Sequence, residues 1–172
     1  MKNQITFFVI ATLVALGGIF IVTYEGKPEA PLVGEDGKIS GAYSIEGVMD
    51  LGRPYVCTFE KQDENSKVAG IIHTDGKNIY GEFRILSEAL KGEEFSSFLI
   101  VMGKDAYTWT SLAPVGYKTK VVKNTSVGAS PGEQAQLVGL RDKVEYECEP
   151  WAEADPTLFE LPGWITFTEL PR

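Results

Sequence analysis

This 172-residue chain has little cysteine (two residues), a single histidine and no two adjacent basic side chains. Each shortage removes a class of function. One histidine and two cysteines cannot furnish a zinc site of usual composition. The acidic stretches "GEDGK" (34–38) and "DENS" (63–66) lack the alternating spacing of a calcium loop. No metal and no other cofactor is therefore expected. Sixteen Lys and Arg stand against 24 Asp and Glu, for a net charge of −8. Without a basic stripe there is nothing to neutralise phosphates, so nucleic acid is excluded as a partner. The same balance argues against docking of the globular part on an anionic membrane surface.

Catalytic groups are equally scarce. "GASPG" (128–132) matches the G-x-S-x-G nucleophile elbow, but Pro131 has no N–H to build the oxyanion hole. His73 also precedes Ser130, against the usual order of hydrolases. Ser130, Pro131 and Glu133 fit a capping box at the start of a short helix better. No carboxylate sits in a clearly apolar stretch that would raise its pKa. No catalytic residue is assigned, and an enzyme is not expected.

One long hydrophobic run is present. From Asn3 to Tyr24 there is no charged side chain, and Ile5–Val22 is apolar apart from two threonines and two glycines. As a helix, Asn3–Tyr24 covers roughly 30 Å, enough for a bilayer core. Lys2 precedes it and Glu25, Lys27 and Glu29 follow, so the N-terminus stays cytoplasmic and the rest lies outside. No clean small-residue cleavage site follows the run. The expectation is an uncleaved signal-anchor at 1–24, inserted in the cell membrane through residues 5–22, with a cleaved signal peptide as the alternative. Residues 25–43, rich in Gly, Pro and charge, read as a juxtamembrane linker. Residues 44–172 form one extracytoplasmic domain.

Export places Cys57 and Cys148 in an oxidising space, where a pair persists as a disulfide. Each lies in an alternating segment, Tyr55/Cys57/Phe59 and Val144/Tyr146/Cys148. The expected bond would close a loop of 91 positions. Two buried free thiols are the alternative.

The domain opens with a short helix capped by Ser44 and stopped by Gly52. From Tyr55 the period becomes two. "YVCTFEKQ", "KVAGIIHT", "NIYGEFRIL", "FSSFLIVM" and "AYTWTSL" read as five strands joined by turns at "DENS", "DGK" and "GKD". "GYKTKVVKN" and "KVEYECEPW" read as further extended segments. Asp155 and Pro156 start a one-turn helix, and "ITFTE" is a last strand. His73 reads as solvent-facing or satisfied in the core. The fold expected is mainly β (α+β): an antiparallel meander with one apolar face. Phe83, Phe98, Ile100, Met102, Tyr107 and Trp109 fall at alternating positions in neighbouring strands and are the candidate ligand-binding face; a filled core covered by the chain's own short helices is the other reading of the same residues.

The layout, with Asp155, Phe159, Pro162 and Ile165–Phe167 at its end, resembles the LolA/LolB-like half-barrel class of periplasmic lipoprotein carriers. "VCTFE", "AYTWTS" and "YECEPW" are similar to segments of small membrane-anchored bacterial proteins of that class. The resemblance spans roughly residues 44–170. It implies a curved antiparallel sheet with short helices on its concave face. It also implies an apolar or amphipathic ligand: an acyl chain, a lipid or a lipidated protein. A protein-interaction or structural envelope module with no small ligand is the competing reading.

Overall fold

The computed structural model describes residues 30–62, 64, 66–88, 92–121, 140 and 142–170. The apolar run 5–22 and the capping box at 130–133 lie outside them. Among the described residues no helix is long and apolar enough to cross a membrane.

The chain builds one open, curved nine-stranded sheet. Its strands are β1 (Ile39–Tyr43), β2 (Tyr55–Gln62), β3 (Ser66–Thr74), β4 (Asn78–Ser87), β5 (Glu93–Met102), β6 (Asp105–Thr110), β7 (Val115–Lys120), β8 (Val144–Pro150) and β9 (Thr166–Glu169). Their spatial order is β1-β8-β2-β3-β4-β5-β6-β7-β9. Strands β2 to β7 form the expected meander. Two features depart from it. β8 enters between β1 and β2, and β9 runs parallel to β7 rather than antiparallel. β1 also lies within the stretch expected to be linker. "ISGAY" has too few apolar residues to announce a strand, and it is pairing with β8 that makes it one.

The period of two sorts side chains onto two faces. On the first, Tyr55, Cys57 and Phe59 of β2 pack with Ile72, Ile79, Phe83, Ile85, Phe95, Leu99 and Val101 in the main core. Helix α1 (Ile45–Met49) buries Ile45 and Val48 in that core. Ser44 caps it, its Oγ accepting from the Gly47 N–H at 3.1 Å. The bond between Cys57 and Cys148 joins directly opposite residues of β2 and β8 on this face, as expected from the sequence.

The β3–β4 turn shows why its residues are what they are. Asp75 accepts from the N–H groups of Lys77 (2.8 Å) and Asn78 (2.7 Å) and from the Asn78 amide (2.9 Å). Gly76 has φ 85°, and a Cβ there would lie 2.7 Å from the Gly52 carbonyl carbon. Only glycine satisfies both demands.

Candidate binding face

The second face divides into two halves of different chemistry. In β5 and β6 the register sets Phe98 opposite Trp109 and Ile100 opposite Tyr107, with Tyr80 of β4 beside Ile100. The Phe98 and Trp109 rings stack at 5.2 Å and 13°. Phe167 of β9 meets Trp109 (5.9 Å) and Tyr107 (5.3 Å) edge-on, the arrangement that aromatic quadrupoles favour. Lys118 sits 5.7 Å over the Tyr107 ring and 3.6 Å from Asp105, which also holds Lys120 at 2.5 Å. The Lys120 hydrogen bond, helped by the Lys118 charge, holds the Asp105 carboxyl below the usual carboxylate range.

The chain covers this aromatic half itself. After β8, residues 151–165 cross the face as a strap. The Trp151 N–H donates to Pro54 O at 3.1 Å where the strap begins. Asp155 caps a single 3₁₀ turn (Pro156–Phe159), accepting from the Thr157 N–H at 2.9 Å. Phe159 and Ile165 are the buried anchors, and Trp151 meets Phe159 at 6.2 Å. The expectation of a one-turn helix at Asp155–Pro156 therefore holds, and its role is to hold the strap down. Beneath it Ile100 is 1% exposed and Trp109 7%.

His73 lies at the strap's entrance, 5.0 Å from the Trp151 ring and 6.0 Å from Tyr80. It is half-buried, and its Nδ1 has no hydrogen-bond partner. It is thus neither fully solvent-facing nor satisfied. Burial pushes its pKa down, and the nearby Glu82 carboxylate partly opposes that.

Of the six candidate residues, five lie on one face of the sheet. Phe98, Ile100, Met102, Tyr107 and Trp109 lie together with Ile165 and Phe167. Phe83 does not: it stands opposite Ser97 and points into the main core. The fold thus assembles most of the candidate set but closes it under the strap.

Among the described residues the other half of the same face is open. Between β1 and β4 it forms a hollow of about 580 Å³. Ser40, Thr58, Ala69 and Ile71 line it with Glu60, Glu82, Glu145 and Glu147, and Arg84 contributes one cation. Ile71 is 44% exposed. Glu60 pairs with Lys67 at 3.2 Å, and Glu149 at the rim pairs with Lys38. Glu147 faces Ser40 and Thr58 across its neighbouring strands, with its charge also acting on Lys38, and Glu145 faces Ala42. One signal for this half was visible in the chain. Glu145, Glu147 and Glu149 alternate with the buried Val144, Tyr146 and Cys148.

Both cysteines are spent in the bridge. Among the described residues no group of three His, Cys, Asp or Glu side chains converges as a metal site. The other unpartnered buried group among the described residues, the Tyr146 hydroxyl, belongs to the main core, and burial raises its pKa far above the ordinary phenol value. No family model, no curated protein and no solved structure matches the chain.

Proposed function

We propose that this protein is a membrane-tethered binding module that holds a Lys- or Arg-bearing segment of a partner protein in the open half of its sheet. The observation that carries this reading is the division of one face into a closed aromatic half and an open acidic hollow. The floor of the hollow is formed by Thr58 of β2 and by Ala69 and exposed Ile71 of β3, and an extended segment can lie along it. Its four lining carboxylates outnumber the one lining cation, Arg84, and favour a cationic partner through charge complementarity. The tether rests on the apolar run at 5–22 and its flanking charges.

The curved open sheet supports the likeness to the half-barrel class. Acyl-chain binding at Phe98, Ile100, Tyr107 and Trp109 has less support, because the strap already fills that space. A lipid ligand there requires Phe159 and Ile165 to leave.

The test is fluorescence anisotropy of a labelled oligolysine peptide titrated with the full chain. Glu82→Gln, Glu145→Gln and Glu147→Gln combined should weaken binding several-fold. Replacing Glu93, Glu94 and Glu160 with Gln removes the same charge elsewhere and should weaken it much less. Equal losses in the two variants would mean that net charge alone attracts the peptide, and the site would be rejected.

A further inference from the structure

We propose that two copies of this chain join edge to edge through β9, antiparallel about a two-fold axis at Thr168. The inference is independent of the hollow and rests on the backbone of β9.

Among the described residues β9 pairs on one side only, with β7. In a parallel ladder alternate residues give both their N–H and their C=O to the same neighbour. The Thr166 N–H donates to Pro114 O (3.1 Å) and the Leu170 N–H to Lys118 O (3.0 Å). The even-numbered residues therefore face β7, and Phe167 and Glu169 turn their N–H and C=O groups outward. Among the described residues nothing pairs with these groups. The strand is nevertheless well seated, because the Phe167 ring is held between Tyr107 and Trp109 and lies over Gly116. The opposite edge differs. Before β1 the chain folds back through a turn in which the Gly34 N–H reaches Lys38 O at 2.8 Å. That turn brings the Leu32 N–H to the Tyr43 hydroxyl at 3.3 Å.

A bare strand edge is complementary to another extended backbone. Here the outward residues are two, placed symmetrically about Thr168. A two-fold axis at Thr168 sets Phe167 against the second copy's Glu169, and Glu169 against the second copy's Phe167. Each such pair exchanges both hydrogen bonds, so no outward group is left over. The register opposes Glu169 to an apolar ring rather than to another carboxylate, while Lys118 stays beside it on β7. Thr168, whose side chain is exposed, meets the second copy's Thr168 in a non-hydrogen-bonded pair, the closer of the two spacings. The contact is short, so association is weak in dilute solution and is best read by cross-linking.

The experiment uses the full chain carrying Thr168→Cys, oxidised mildly and run without reductant. The native cysteines are bonded and buried, so the new thiol reports alone. A covalent dimer is expected. Thr166→Cys is the register control, since its counterpart is offset by four residues, roughly 13 Å. It should cross-link several-fold less. Adding Glu169→Pro to Thr168→Cys deletes an outward N–H and spares the bonds to β7, and should lower the dimer yield several-fold at an unchanged melting temperature. If Glu169→Pro lowers melting, the contrast between positions 168 and 166 decides alone. Absence of dimer from Thr168→Cys, or equal yields at 168 and 166, overturns the proposal.

Discussion

Cys57 and Cys148 stand directly opposite one another on adjacent antiparallel strands, and their bond ties positions 91 apart. It clamps β8, which arrives from far along the chain, against the first strand of the meander. Replacing Cys148 with Ser should cost about 2–5 kcal/mol, read as a lower urea midpoint at unchanged slope. An unaltered midpoint would mean that the β1-β8-β2 ladder holds without the bond.

Gly70 lies between Phe59 and Phe83 on neighbouring strands, whose rings are 6.1 Å apart. A Cβ at Gly70 would fall 2.3 Å from Phe59 Cε1 and 3.0 Å from Phe83 Cδ1. Gly70→Ala should therefore destabilise the domain by roughly 1–3 kcal/mol through overpacking, measured by denaturant unfolding. The rings roof the glycine, and no loss of strand hydrogen bonds is involved.

These two sites show what the chain reveals on inspection and what it hides. Alternation alone places Tyr55–Gln62 as a strand, and Ser44 and Asp155 as caps. Side-chain period within a strand is local, so Ile79, Gly81, Phe83 and Ile85 group together without any knowledge of the fold. The relation between strands is not local. Phe83 shares a face with Phe98 or with Ser97 according to register, and register is set by the hairpin rather than by either segment. The same holds for β8, whose place between β1 and β2 depends on pairing across the whole chain. The closure of the aromatic half was legible only as one of two readings for a related reason: the strap is mostly exposed, and Phe159 and Ile165 alone among its side chains are buried.

His73 gives a pH dependence with a definite sign. Burial lowers its pKa from the ordinary 6.5, with Glu82 partly opposing. The unfolded chain then binds the proton more readily than the folded one. This contribution to stability is whole above pH 6.5 and is lost as pH falls through the lower folded value. Proton NMR should find His73 titrating below 6.5, and His73→Gln should flatten the fall in stability between neutral and mildly acid pH. A titration above 6.5 would mean that Glu82 outweighs burial.

The central claim is that the open hollow, not the covered aromatic half, is the surface that binds. Amide chemical-shift mapping of the full chain tests it most directly, with oligolysine and a long-chain fatty acid titrated separately. The account predicts saturable shifts at Thr58, Ala69, Ile71 and Glu145 with the peptide, and unmoved Phe98, Ile100 and Trp109 amides with the fatty acid. Saturable shifts at Phe98, Ile100 and Trp109 with the fatty acid, together with a silent hollow, would contradict it and make the strap a lid over an acyl-chain site.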